Sequence, residues 1–120
     1  MSHKNRQWLL RERPIGLVGP EHFELVDSPL PEPDLASGQV LLKTLMLSFE
    51  PAMRGWLDDR PSYVPPVRIG EPMRAPGVCQ VVRSDNPQLP EGIMVQGMAN
   101  WQEYSIGDPS AASSPRALRE

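Results

Sequence analysis

The sequence predicts a mainly β domain, a small barrel or sandwich with short helical turns. Three observations carry that prediction. Short apolar or alternating runs recur along the chain, each bounded by turn residues, as strands in such folds are. Fifteen prolines and nine glycines, a fifth of the 120 residues, sit between those runs, where they punctuate a fold. One run, Val40–Leu47, is apolar almost throughout, interrupted only by Lys43 and Thr44. It is too short for a spanning helix and suits a strand buried on both faces.

Taken in order, Trp8-Leu9-Leu10 reads as a short edge strand, and Arg13 to Gly16 and Val18 to Pro20 as turns. His22 to Asp27 alternates polar and apolar up to Val26, the pattern of a half-buried strand. Ser28 to Gly38 carries three prolines and reads as a loop. Val40–Leu47 is the expected central strand, and Pro51 stops it because proline has no N–H to give a ladder. Residues 52–57 allow one helical turn, and Asp58 to Pro66 a loop held extended by Pro65-Pro66. Val67-Arg68-Ile69 reads as a brief strand, and Met73 to Val82 as a longer one bent at Gly77. Pro90-Glu91-Gly92 is a tight turn whose glycine supplies a positive φ. Ile93 to Gly97 and Gln102 to Ile106 complete the strands. From Gly107 onward the chain is small, polar and without period, so 107–120 reads as a flexible tail after a domain over 1–106.

Composition narrows the function classes. The chain has length for one domain and, at 39% apolar with three tryptophans, for one modest core. Twelve basic and fifteen acidic residues are mixed along it with no basic stripe, so no nucleic-acid partner is expected. The polar start Ser2 to Arg6 lacks the apolar stretch of a signal peptide, and no apolar run is long enough to span a bilayer. The single cysteine, Cys79, precludes an internal disulfide and suits a reducing compartment. A cytoplasmic protein without a membrane partner is therefore expected.

Catalytic chemistry is constrained mostly by what is missing. Zinc needs thiolate or imidazole donors close together. After the central strand the sequence reads Ser48-Phe49-Glu50-Pro51, and the two histidines, His3 and His22, lie far from it. No metal site is expected. Cys79 sits in an apolar strand and reads as an inert core residue; Asp58-Asp59 reads as solvated loop charge. The stretch that remains is Glu50-Pro51-Ala52-Met53-Arg54-Gly55, where a rigid strand delivers a proline turn, a methionine and a permanent charge. Such a junction builds a site edge; it also occurs as an ordinary strand-to-turn connection with a solvated arginine.

The segment Ser48 to Arg54 resembles the Ser-x-Asp-Pro-Tyr-Met-Arg segment of the zinc-independent medium-chain reductases. These include the curcumin, prostaglandin and leukotriene reductases, which reduce activated double bonds with NADPH. Asn5 to Leu10 is similar to that family's opening strand. Pro61 to Gly70 resembles a loop of the curcumin reductase branch, and Gly77 to Val82 and Trp101 to Tyr104 match in order and spacing. The resemblance covers residues 5–106.

It implies a partly open β-barrel of the GroES type, forming the substrate side of an NADP-dependent enzyme that reduces enones or alkenals. The family's nucleotide-binding Rossmann domain is absent from this sequence, and so is a Gly-x-Gly-x-x-Gly loop. The chain alone is therefore expected to be inactive. The cleft residues implied are Glu50, Ala52, Met53 and Arg54. The family's tyrosine position holds Ala52, and its aspartate position holds Glu50. Tyr63 matches the tyrosine of the Pro-Ser-Tyr loop and is the implied catalytic donor; a ring packed on the neighbouring prolines fits it equally. Arg54 has three readings: an anchor to the nucleotide domain, a contact to cofactor phosphates, or a structural salt bridge. Met53 reads as core or pocket wall, and Trp56, Trp101 and Tyr104 as packing residues. The alternative to an enzyme domain is a non-enzymatic β-barrel that binds a partner or associates with itself, as a homodimer for example.

Overall fold

A computed structural model describes residues 4–49, 52–59, 65–109 and 116–117. Alternation sets the first hairpin. Strand β1 (Lys4–Leu10) pairs antiparallel with β2 (Phe23–Pro29), in register from Lys4 opposite Pro29 to Leu10 opposite Phe23. The edge strand expected at Trp8–Leu10 thus starts four residues earlier, because Asn5 is buried and paired where a hydrophobic residue would be looked for. His22 falls in a 3-10 turn (Pro20–His22) that leads into β2.

The remaining strands form one antiparallel sheet. They are β3 (Val40–Leu47), β4 (Pro76–Arg83), β5 (Met94–Met98), β6 (Tyr104–Gly107) and the two-residue β7 (Arg116–Ala117), in the order β6-β3-β4-β5-β7. The all-β class expected from the sequence is what forms, as two antiparallel sheets; no closed barrel is made among the described residues. A single helical turn, α1 (Ala52–Gly55), follows β3. Among the described residues no helix is long and apolar enough to cross a membrane. Within 107–120, Gly107 ends β6 and Arg116–Ala117 pair with Gln96 and Val95 of β5; residues 110–115 and 118–120 lie outside the described ones.

Several expectations need correction. The middle of the sheet is β4, not β3. Only Val40 to Leu42 of β3 are fully buried, whereas Lys43, Leu45 and Met46 are exposed. The reason is local: pairing with β6 ends at Lys43 opposite Tyr104, and the register with β4 slips between Thr44 and Met46. Beyond Thr44 the strand runs out along the sheet's rim. Finally, Val67 to Ile69 is not a strand, since Val67 N–H bonds to the Trp56 carbonyl and Ile69-Gly70 make a turn with Gly70 at φ 90°.

The expected strand from Met73 begins only at Pro76. Met73 and Ala75 spend their N–H groups on the Trp8 carbonyl and Asn100 Oδ1 instead. Gly77 marks a close approach rather than a bend in φ. A Cβ there would collide with the Met46 carbonyl oxygen and crowd Ala99 Cβ at 3.1 Å.

Two clusters make the core. One gathers Leu10, Met53, Trp56, Leu57, Val67, Met73 and Ala75 under α1; the other gathers Val40, Leu42, Cys79, Val81, Leu89, Val95 and Ala99 between β3, β4 and β5. Leu47 packs against both. The two sheets are tied through the free edge of β1. Trp8 N–H donates to the Trp101 carbonyl at 2.9 Å, Glu103 N–H to the Arg6 carbonyl at 3.0 Å, and Leu10 N–H to the Glu71 carbonyl at 2.9 Å.

Candidate functional site

The outward run of β3 creates the concave surface of interest. Ser48 N–H still bonds to the Pro76 carbonyl at 3.0 Å, so the chain is held up to that point. Phe49 then projects with 79% of its surface exposed. Its ring meets Trp101 edge-on at 6.2 Å, and Trp101 leans on Phe23 at 5.0 Å. Trp8 and Leu25 come from the facing hairpin. Together with Thr44, Leu47, Gln102, Arg6 and Glu103 these residues enclose a mainly apolar pocket of about 610 Å³. An open apolar hollow with a few polar groups at its edge is the usual form of a small-molecule site.

The rim is a charged fork. Glu103 Oε1 accepts from the Arg6 backbone N–H and from its Nε, each at 3.1 Å, and Oε2 accepts from Nη2 at 3.0 Å. The bond from Arg6 holds the Glu103 carboxyl below the usual carboxylate range, and its charge adds to that. The same bond from Glu103 pushes the Arg6 guanidinium up. Both side chains are well exposed, so the fork orients the rim more than it stabilises the fold. On the pocket wall, Trp101 Nε1 is buried with no hydrogen-bond partner among the described residues. Cys79 lies opposite Thr44 across the β3–β4 ladder, and burial pushes its thiol pKa up, the behaviour of an unreactive core cysteine.

The residues singled out from sequence go to different places. Met53 is buried in the core cluster beneath α1. Arg54 turns the other way: its Nε and Nη2 donate to the Gly16 carbonyl at 3.2 and 2.9 Å, Nη2 also to the Pro14 carbonyl at 3.2 Å, and Nη1 to Asp58 at 3.0 Å. Arg13 answers from that turn by donating to the Leu57 carbonyl at 2.8 Å. The two arginines thus lace the turn over residues 13–16 to α1. Ala52 begins α1, and Glu50 and Tyr63 lie outside the described residues. Of the stretch Leu47 to Arg54, the pocket is lined by Leu47 and Phe49.

Reading the sequence missed Phe49, Trp8, Leu25 and Thr44 as pocket residues, and took Trp101 for packing alone. No spacing signals them, because the pocket is assembled from a hairpin, a strand end and a loop that meet only in three dimensions. Among the described residues no three His, Cys, Asp or Glu side chains converge as a metal site would need.

Comparison with known proteins extends this geometry. The sequence profile of a family described as the N-terminal domain of oxidoreductase matches residues 6–114. The chain is 45% identical over 105 residues to the NADPH-dependent curcumin reductase of Escherichia coli strain K12, covering 88% of this chain and 30% of that enzyme. It is 34% identical over 109 residues to the NADP-dependent 2-alkenal reductase of Nicotiana tabacum, covering 88% and 32% respectively. CurA from Vibrio vulnificus superimposes with a TM-score of 0.84 at 36% identity, over 94% of this chain and 32% of CurA. The CurA complex with NADPH gives 0.82 at 37% identity, over 93% of this chain and 32% of CurA. The chain therefore spans about a third of the length of the relatives it matches.

Proposed function

We propose that this chain, which belongs to the family of oxidoreductase N-terminal domains, supplies the substrate-side wall of an NADP-dependent reductase of activated C=C bonds. The observation that carries the reading is the apolar pocket built on Leu47, Phe49 and Trp101 at the end of β3. Its aromatic surfaces suit the flat, conjugated face of an enone or alkenal. NADPH, when bound, supplies the hydride that adds to the β-carbon. The sequence has no Gly-x-Gly-x-x-Gly loop to cradle the cofactor phosphates, so this chain's share is the wall against which substrate and nicotinamide ring are pressed.

Reduction leaves two tasks for side chains. Charge developing on the carbonyl oxygen needs a hydrogen-bond donor, and the α-carbon needs a proton. We assign the donor to Tyr63, on its match to the tyrosine of the Pro-Ser-Tyr loop in the curcumin reductase branch. Glu50, Ala52, Met53 and Arg54 form the adjoining edge in this reading. Met53 backs it from the core, and Arg54 acts by fixing the turn over residues 13–16 rather than by touching substrate. A soluble protein working on a small molecule in the cytoplasm fits the composition.

The test uses the tryptophans already in the pocket wall. Titrating the chain with an aromatic enone should quench tryptophan fluorescence saturably, and the quench should weaken in Phe49→Ala. The 120-residue chain should show no enone-dependent NADPH oxidation. Absence of a saturable quench overturns the pocket assignment, and turnover by the chain alone overturns the division of labour.

A second reading, a non-enzymatic binding or self-association module, draws on Phe49 and on Met46, which is 68% exposed on the same strand end. Sedimentation separates the two: a monomer at all concentrations removes self-association, and a fixed homodimer supports it.

A further inference from the structure

Three arginines are half-buried among the described residues: Arg13, Arg54 and Arg74. The first two donate to carbonyls, and Arg54 to Asp58 as well. Arg74 is different. Its guanidinium carbon lies over the ring of buried Trp56, 5.4 Å from the centroid, and its Nη1 is shut from solvent with no acceptor among the described residues. A guanidinium nitrogen closed to water and left without an acceptor is costly, because it gives up hydration and gains no bond in return. The nearest acid does not relieve it. Glu71 shares the same small recess, yet its Oε1 accepts the Arg68 backbone N–H at 3.1 Å and makes no ion pair with Arg74.

The recess is about 130 Å³, lined by Val67, Glu71, Pro72, Arg74 and Asn100. Asn100 is the one non-glycine among the described residues with a left-handed backbone, at φ 62°. Its Oδ1 accepts the Ala75 N–H at 3.2 Å and its own N–H bonds to the Ala75 carbonyl at 2.8 Å. That pinning occupies the amide's oxygen and leaves Nδ2 as the donor of a side chain that lines the recess with Arg74. A strained residue held this way is a common mark of a functional position.

We propose that the Arg74–Asn100 recess is a carboxylate-binding site, separate from the 610 Å³ pocket and independent of the reductase reading. A guanidinium that lies over an indole, lines the recess and has no acceptor among the described residues offers paired donors to a planar carboxylate. The volume amounts to about four water molecules, which admits a carboxylate head and a short stem. Glu71 adds a negative charge to the wall, which disfavours a phosphate dianion more than a carboxylate monoanion. The carboxylate comes either from a small molecule or from an Asp or Glu side chain on a further length of polypeptide.

The experiment is a nitrogen-15 NMR titration of the chain with sodium acetate at constant ionic strength, following the Trp56 indole and Asn100 amide signals. A saturable shift with acetate, absent with chloride and weaker with phosphate, is expected. Arg74→Met should reduce the acetate affinity at least about tenfold, roughly what one bidentate charge-assisted pair contributes. Arg74→Lys, which keeps the charge and the fold but loses the fork, should recover only part of it. No saturable shift, an equal response to chloride, or a shift that survives Arg74→Met overturns the proposal. The same titration on the longest polypeptide the gene encodes separates the sources. A persistent acetate shift points to a free carboxylate, and its loss in the longer polypeptide points to a side-chain carboxylate already seated there.

Discussion

Two neighbouring regions along β1 treat polarity in opposite ways. At its N-terminal half, buried amides are fully bonded. Asn5, 2% exposed, accepts the Tyr104 N–H at 2.8 Å and donates to the Tyr104 carbonyl at 3.0 Å. Gln102 Oε1 receives Asn5 and Gln7 at 3.3 and 2.8 Å, and Ser28 closes the chain onto Gln7 at 2.8 Å. One residue further, Trp8 opens onto a hollow where aromatic faces lie bare and the Trp101 indole N–H goes unpaired. The satisfied network specifies how the sheets meet, and the unsatisfied hollow is where surface remains available to a ligand.

The comparison breaks most violently at Gly77, on which the hollow's strand end rests. Gly77→Ala drives a methyl group into the Met46 carbonyl oxygen, with Ala99 leaving no room to retreat. A loss of about 3 kcal/mol is expected, read as a lower urea midpoint at unchanged slope. An unchanged midpoint would mean the β3 bulge is free to move. Next comes the seam: Asn5→Ala leaves both Tyr104 backbone groups without their partner in a buried place, and should cost about 2 kcal/mol in the same measurement.

How much of this contrast could be read beforehand depends on how far apart the partners lie. The bounds of β3 followed from an apolar run alone, and the positive φ of Gly92 from its turn. Burial along β3 did not follow, because a bulge and the end of β6 expose its second half. The burial of Asn5 could not be read from the polar start of the chain, since its partners are 97 and 99 positions away. The role of Arg54 was open for the same reason, its carbonyl acceptors lying 38 and 40 residues upstream. For the candidate pocket, Leu47 at the strand end lay in a stretch the sequence marked out, whereas most of the lining side chains carried no such mark. Phe49 has no spacing that separates it from any other aromatic ahead of a proline, and the expected donor Tyr63 lies outside the described residues.

On the apolar side, Phe49→Ala sharpens the contrast in a different observable. The ring is too exposed to hold the core, so the unfolding midpoint should move little. Enone affinity should fall about fivefold, the worth of one aromatic contact near 1 kcal/mol. A large stability loss with unaltered quenching would make Phe49 a packing residue instead.

The smallest effect sits on the rim that joins the two regions, and its sign can be worked out. Arg6 holds the folded Glu103 carboxyl below its ordinary value, which in the unfolded chain is about 4.3. The unfolded state therefore binds the proton more readily. The fork's contribution is fully present above the unfolded value and is lost as pH falls through that value toward the lower folded one. Because both side chains are well exposed, solvent and salt screen the pair, and only a small effect is expected. Glu103→Gln removes the titrating group, so stability of the variant relative to the parent should be lower near neutral pH and converge with it in acid. A difference that instead widened as pH fell would assign the acid response to another carboxylate and leave the fork a spectator.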